Sequence, residues 1–342
     1  MTRILGIESS CDETAAAVVD DRVHVRSSVI ASQVEVHRKY GGVVPELAAR
    51  RHVEAIRPVV SQALEEAGTT MDGIDAVAVT SGPGLIGSLL VGVCAAKAIA
   101  WHRGLPLLAV NHIEGHIRSA FIENPDVTFP AIALVVSGGH TSLYLCPAEG
   151  RYRQLARTRD DAAGEAFDKV AKLLGLGYPG GPVIERLSRD ADAKAYHFPR
   201  ARMKDQSLDF SFSGLKSAVR RRVQSEGLEH PTACGGTVSS RVRDLVASFQ
   251  RAVIAALVDR TLAVCRAEGV RTVLVVGGVA CNGKLRETFE EVARRERLRV
   301  YIPSPQYTTD NAAMIAAAGF LHLERGRLAG LDLNASSSLP LR

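Results

Sequence analysis

"RILGIESSCDETAAAVVDD", residues 3–21, decides how the rest of the chain is read. A β-branched, apolar run ends in a polar turn, and a second apolar run comes after it, the pattern of two strands. Residues 131–146, "AIALVVSGGHTSLYLC", repeat that order around a Gly-Gly turn. The elements downstream of each pair recur too. After the first pair come a helical stretch over 45–67, a strand at 74–80 ("IDAVAVT") and a Gly turn ("SGPGLIG"). A helix at 87–103, a strand at 106–111 and a helix opening near His112 complete that half. After the second come helices, including a long one at 241–268, then a strand at 272–277 ("TVLVVG") and a Gly turn ("GGVACNG"). A helix at 283–298, a strand ("RVYIPS") and a helix opening near Asp310 complete the second half. Self-similarity of this kind marks a duplicated unit. A strand pair followed by alternating strand and helix predicts two α/β domains with mixed sheets. The expected domains are 1–120 and 121–308, with the final helix (309–326) a candidate to pack back on the first and 329–342 a loose tail. Two such domains facing each other would leave a cleft for a ligand.

Composition agrees with this reading. A chain of 342 residues, 46% hydrophobic and 23% charged, has the length for two globular domains and no signature of disorder. Its apolar runs stop well short of ~20 clean residues, so no membrane span is expected. No signal peptide is visible, and the expected location is cytoplasmic. Six cysteines (11, 94, 146, 234, 265 and 281) show no C-x-x-C pairing, which fits reduced thiols rather than a disulfide framework or a Cys-rich zinc site. The net charge of +5 allows a nucleic-acid partner without requiring one. The runs "VRRRV" (219–223) and "ARRERLR" (293–299) are either phosphate contacts or solvated helix faces.

"VNHIEGHIRS", residues 110–119, raises the question of chemistry. His112 and His116 are four apart and share one helix face, which suits two imidazoles on one cation or two unrelated helix histidines. Glu114 lies two residues from each. At about 100° per residue it points roughly 180° away from the pair, unlike the glutamate of H-E-x-x-H or H-x-x-E-H. It is therefore a poor general base, and a peptidase reading is disfavoured. The duplication adds a third group, because Asp310 holds in the second half the place that His112 holds in the first. Two imidazoles and a carboxylate suit Fe(2+) or Zn(2+) with open positions, acting as a Lewis acid or substrate clamp.

The glycine turns divide into weak and stronger signals. "GPGLIG" (82–87) matches G-x-G-x-x-G, but no acidic residue lies between Gly87 and Glu114, so a dinucleotide site is not expected. Close strand–helix packing explains those glycines equally well. "VVSGGHTS" (135–142) offers backbone N–H groups to an anion, "ESSCDET" (8–14) offers hydroxyls and carboxylates, and "VVGGVACNGKLRE" (275–287) sets a Gly turn before a helix with Asn282 as expected N-cap. A nucleotide is the simplest common ligand.

In their order, "GIESSCDETAAAVV", "SGPGLIGSLLVG", "VNHIEGHI", "LVVSGGHTSLY", "GEAFDKVAKLLGLGYPGGP", "DFSFSGLKSAV", "VVGGVACNGKLRE" and "TDNAAMIAAAG" resemble the family of tRNA threonylcarbamoyladenosine transferases, the TsaD and Kae1 proteins, over residues 3–325. The resemblance implies an actin-like, sugar-kinase-like (ASKHA) fold of two duplicated domains. It implies metal ligands at His112, His116 and Asp310, with one divalent ion per chain, Fe(2+) favoured over Zn(2+). It implies substrate contacts at Val135, Val136, Ser137, Gly138, Gly139, Asp168, Gly181 and Asn282, with Ser9 and Glu13 as further wall residues. The implied reaction moves the threonylcarbamoyl group from threonylcarbamoyl-AMP to N6 of the adenosine 3′ to the anticodon, in tRNAs reading codons that begin with A. The implied partners are tRNA and TsaB-like and TsaE-like accessory subunits. A small-molecule kinase of the same fold, a metallopeptidase and a non-catalytic scaffold are the rival readings.

Overall fold

The computed structural model describes residues 1–199, 205, 207–228 and 238–341. The chain forms two units, one of residues 1–127, 149–151 and 303–342 and the other of residues 128–148 and 152–302. The division thus falls a few residues past the expected boundary at 120.

Unit 1 begins with β1 (Arg3–Glu8), β2 (Glu13–Asp20), β3 (His24–Ser32), α1 (Val34–Arg38) and α2 (Pro45–Glu66). It continues with β4 (Ala76–Gly82), α3 (Ile86–Arg103), β5 (Leu107–Asn111) and α4 (His112–Glu123). Unit 2 carries β6 (Ala131–Val136), β7 (Thr141–Ala148), β8 (Arg151–Arg157), α5 (Ala163–Leu173), α6 (Gly180–Ser188), α7 (Ser213–Glu226) and α8 (Ser240–Glu268). It closes with β9 (Thr272–Val276), α9 (Gly283–Glu296) and β10 (Arg299–Tyr301). The chain then returns to unit 1 with α10 (Pro305–Thr308) and α11 (Ala312–Glu324).

The sheets run β3-β2-β1-β4-β5 and β10-β9-β6-β7-β8, so the second reproduces the first, strand for strand. In each, the leading hairpin is antiparallel and the later strands join in parallel, β4 on β1 and β9 on β6. The central strands are buried throughout and, apart from Thr80, Ser81 and Thr272, apolar, as suits strands covered on both faces. Sequence reading missed the third strand of each copy. β3 alternates exposed and buried positions and β8 is mostly polar, because both are edge strands and need no continuous apolar run.

Helix α11, "AAMIAAAGFLHLE", is buried almost all round, which small residues permit. It lies against β1, where Gly6 leaves room for helix backbone. A Cβ at Gly6 would collide with Ala312 O and stand 2.9 Å from Ala316 N. Of the expected loose tail 329–342, the described residues 329–341 are instead tied to unit 1. Ala329 N donates to Leu107 O and Ser336 N to Ser81 O, both at 2.8 Å, while Lys97 Nζ donates to Leu333 O and Asn111 Nδ2 to Leu339 O, both at 2.9 Å. The tail itself contributes only main-chain N–H and carbonyl groups to these anchors, which leave no mark in its residue types.

The "GPGLIG" turn is filled by the chain itself. Leu85 N donates to Ser10 O at 2.8 Å, and a Cβ on Gly84 would lie 2.5 Å from that same oxygen. Close packing thus accounts for these glycines. Of the charge runs, Val219 and Val223 are buried on α7, and Arg220, Arg221 and Arg222 are exposed. Cys11, Cys94 and Cys265 are free thiols, and Cys234 lies outside the described residues. No helix among the described residues is long and apolar enough to cross a membrane.

Candidate functional site

Two asparagines set up the candidate metal site, both in unit 1. Asn111 caps α4, its Oδ1 accepting from Ile113 N at 2.9 Å, and Asn311 caps α11, its Oδ1 accepting from Met314 N at 2.9 Å. Each cap supports its helix start by about 1 kcal/mol. His112 follows the first cap and Asp310 precedes the second. A Cβ on Gly115 would stand 2.7 Å from Ile315 Cδ1, so the two helices meet closely at that glycine. His112, His116 and Asp310 consequently converge, with ligand atoms all within 4.8 Å of one another. His116 Nε2 lies 3.2 Å and His112 Nε2 3.7 Å from Asp310 Oδ1, and the two rings meet edge to face at 4.6 Å.

The chemistry of this set fits a divalent cation. His116 is fully buried, and among the described residues neither ring nitrogen has a hydrogen-bond partner; the 3.2 Å approach to Asp310 is a contact without hydrogen-bond alignment. A buried imidazole left this way is costly unless something else takes its lone pair. Burial holds its pKa below the ordinary value, which keeps the ring neutral and able to ligate.

His112 is held from behind by a residue that sequence reasoning passed over. Glu8 Oε2 lies 3.0 Å from His112 Nδ1 and accepts from Thr80 Oγ1 at 2.7 Å. Ser10 Oγ is 3.1 Å from the same nitrogen. A proton on Nδ1 directed at Glu8 leaves Nε2 for a metal, the usual carboxylate–histidine arrangement around bound ions. Burial opposes charge on His112, but Glu8 and then Asp310 outweigh it and raise the pKa to about 9. Glu8 ends a strand that is apolar and buried from Ile4 to Ile7. A carboxylate there demands a partner, and that was the available signal.

Glu114 points elsewhere. Its Oε2 meets His322 Nε2 on α11 at 2.8 Å, as the angular argument requires. Ser9 spends its hydroxyl on Ser88 O at 2.9 Å, which secures α3. Glu13 Oε1 accepts from Ser32 Oγ at 2.8 Å, while Oε2 is buried with no hydrogen-bond partner among the described residues. Burial pushes the Glu13 pKa up to about 8. A carboxyl whose pKa is raised on folding stabilises least when it must ionise, so its contribution falls as pH rises from the usual carboxylate range through about 8. In metal-free protein, Glu13→Gln should therefore raise stability relative to the parent by about 2 kcal/mol more near pH 9 than near pH 5. Thermal unfolding at the two pH values measures this, and an equal difference at both would refute it.

Unit 2 holds a cavity of 160 Å³ lined by Gly138, Asp168, Gly181, Glu185 and Asn282, among others. Asp168 Oδ1 accepts from Gly180 N at 2.7 Å and so fixes the start of α6, whose N-terminus favours anions. Gly138 and Gly181 have open space where a side chain would stand, leaving their backbone approachable. Gly164 is the opposite case: a Cβ there would stand 2.7 Å from Ser137 O, and this close approach seats α5 against the Gly-Gly turn. Asn282 Oδ1 accepts from Leu285 N at 3.0 Å as the expected N-cap. Of the expected contacts, Gly138, Asp168, Gly181 and Asn282 line this cavity. Val135 and Val136 are fully buried strand residues, and Ser137 N donates to His140 O at 2.8 Å within the turn; with Gly139 they lie outside the lining. Glu185, which sequence reasoning missed, lines the cavity and accepts from Gly283 N at 3.0 Å.

Comparison with known proteins is consistent in fold and family. Solved structures with the same fold include full-length HypF in its phosphate- and nucleotide-bound form, with a TM-score of 0.61 and 14% identity over 94% of this chain and 56% of that one. Component A of the (R)-2-hydroxyglutaryl-CoA dehydratase of Acidaminococcus fermentans gives a TM-score of 0.54 at 14% identity, over 95% of this chain and 100% of the other. The architecture is thus the expected actin-like, sugar-kinase-like one. Two curated relatives carry the name tRNA N6-adenosine threonylcarbamoyltransferase. That of Syntrophobacter fumaroxidans is 54% identical over 98% of both chains, and that of Geotalea uraniireducens is 51% identical over 99% of this chain and 96% of its own. The family described as TsaD, tRNA N6-adenosine threonylcarbamoyltransferase, matches residues 24–317. With this match over most of its length, and with relatives of that name at more than half identity, the chain belongs to the tRNA N6-adenosine threonylcarbamoyltransferase family and is a transferase acting on tRNA.

Proposed function

We propose that the chain transfers the threonylcarbamoyl group from threonylcarbamoyl-AMP to N6 of the adenosine 3′ to the anticodon, in tRNAs that read codons beginning with A. The observation that carries this reading is the convergence of neutral His116, Glu8-backed His112 and Asp310 in a chain of this family. These three residues would hold one divalent ion, with Fe(2+) preferred and Zn(2+) the alternative. Two imidazoles and one carboxylate leave open positions on either. Such an ion supplies Lewis acidity toward a carbonyl oxygen.

The chain's own groups do the rest. Glu8 fixes the tautomer of His112. In unit 2, the backbone at Gly138 and Gly181 receives the adenylate, and the Asp168 carboxylate, steadied by Gly180 N–H, accepts from a ribose hydroxyl. Val135, Val136, Ser137 and Gly139 shape the strand and turn that carry Gly138, and Ser9 and Glu13 shape the turn after β1. In the transfer, N6 forms a bond to the carbamoyl carbon, the bond from that carbon to the phosphate oxygen breaks, AMP leaves with the electron pair, and N6 loses a proton. No covalent enzyme intermediate is involved. The target base must be unstacked, as an RNA loop permits. TsaB-like and TsaE-like accessory subunits are the proposed protein partners, and the proposed compartment is the cytoplasm.

The test is reconstitution. The protein is incubated with those subunits, unmodified tRNA, ATP, bicarbonate, threonine and the adenylate-forming enzyme, and nucleosides are analysed by mass spectrometry. Threonylcarbamoyladenosine should accumulate only when the chain is present; its absence would refute the proposal.

A further inference from the structure

Helix α8 carries an amide where its neighbours on the core side are hydrocarbon. Gln250 is 5% exposed, on a helix that also buries Val246, Phe249, Val253 and Leu257. An amide buried without a partner is costly, so its partner defines its role. Gln250 Oε1 accepts from Asn282 Nδ2 at 2.8 Å. Asn282 is itself 7% exposed, and its Oδ1 accepts from Leu285 N at 3.0 Å. The Asn282 carboxamide is thus gripped at both ends, by α8 at the nitrogen and by α9 at the oxygen. The following residue is gripped as well, since Gly283 N donates to Glu185 Oε1 at 3.0 Å.

A carboxamide has two N–H groups, and Gln250 takes one. With the oxygen on the helix cap and one N–H on Gln250, the donor left over for a ligand in the cavity that Asn282 lines is the remaining N–H. We infer that Gln250 is a positioning residue for Asn282: it fixes the orientation of the Asn282 carboxamide so that a donor, rather than an acceptor, meets the bound adenylate. Without Gln250 the amide plane is held only by the cap and can turn. This inference rests on reading the unit 2 cavity as the adenylate site, and it adds to that reading a residue that does not line the cavity.

The test is a double-mutant cycle on AMP affinity, measured by calorimetry on the full chain, with thermal unfolding recorded alongside. Gln250→Met keeps the side-chain length and removes the acceptor; it should weaken AMP binding about tenfold, the worth of one buried hydrogen bond. In an Asn282→Ala background the same change should have no further effect on AMP affinity, whatever it does to the melting temperature. Gln250→Glu retains an acceptor near Asn282 Nδ2 and should bind AMP within about threefold of the parent, a difference smaller than one hydrogen bond. Equal AMP binding by Gln250→Met and the parent would overturn the inference, as would a tenfold loss that persists undiminished in the Asn282→Ala background. Should Gln250→Met fail to fold, Gln250→Glu decides, and tenfold weaker binding by it would also overturn the inference. A parent chain that binds no AMP would instead overturn the adenylate reading of the cavity.

Discussion

His116→Ala is expected to strip the chain of the proposed divalent ion and of tRNA modification, while Glu114→Ala keeps the ion. The two residues are neighbours on one helix turn, yet they face opposite ways. His116 presents a buried, neutral imidazole to Asp310, whereas Glu114 is spent on His322. Removing a direct ligand should weaken metal binding by more than the ~10–100-fold typical of losing an outer partner. Glu8→Ala should fall inside that range, because Glu8 orients His112 without itself being one of the three ligands. Metal content after dialysis, read by mass spectrometry of the metal, ranks the three variants. Equal metal loss in His116→Ala and Glu114→Ala would sink the assignment of the helix face.

Gly6→Val should be the most damaging single change in unit 1. Its Cβ would collide with the backbone of α11, and main chain at a helix start cannot yield as the tip of a long side chain can. Overpacking of a core against backbone costs about 3 kcal/mol or more. The consequence reaches the proposed metal site, because the helix turn being pushed begins two residues after Asp310. Gly6→Val should therefore lower both the melting temperature and the metal affinity. Gly139→Val, placed where a Cβ meets open space, should leave both near the parent values. Chemical denaturation and metal titration check the pair. A Gly6→Val chain with parental stability would contradict the packing of α11 on β1.

Much of the fold was legible because duplication is a pattern, and patterns survive in residue type. The hairpin of 3–20, the Gly turns and the two late helices recur in order, and the two sheets reproduce the same strand sequence. The edge strands β3 and β8 escaped because a half-exposed edge tolerates Arg, Ser and Gln. The anchoring of 329–341 escaped because three of the hydrogen bonds that hold it run to backbone carbonyls at Leu333, Leu339 and Ser81. At the site, the i, i+4 spacing placed two histidines on one face, and the repeat brought Asp310 to them across nearly 200 residues of sequence. Glu8 carried a signal, a carboxylate at the end of an apolar strand, but its partner was not legible, and neither were Glu185 and Gln250. Each acts through a partner far away in the chain, at His112, Gly283 and Asn282, and no short-range spacing encodes such a pairing.

The most direct test supplies preformed threonylcarbamoyl-AMP and unmodified tRNA to the metal-loaded protein with the proposed accessory subunits, and quantifies AMP and modified nucleoside together. Direct transfer requires threonylcarbamoyladenosine and AMP in equal amounts from the parent, and neither above background from His116→Ala. Release of AMP without modification of the base, or undiminished modification by His116→Ala, would contradict it.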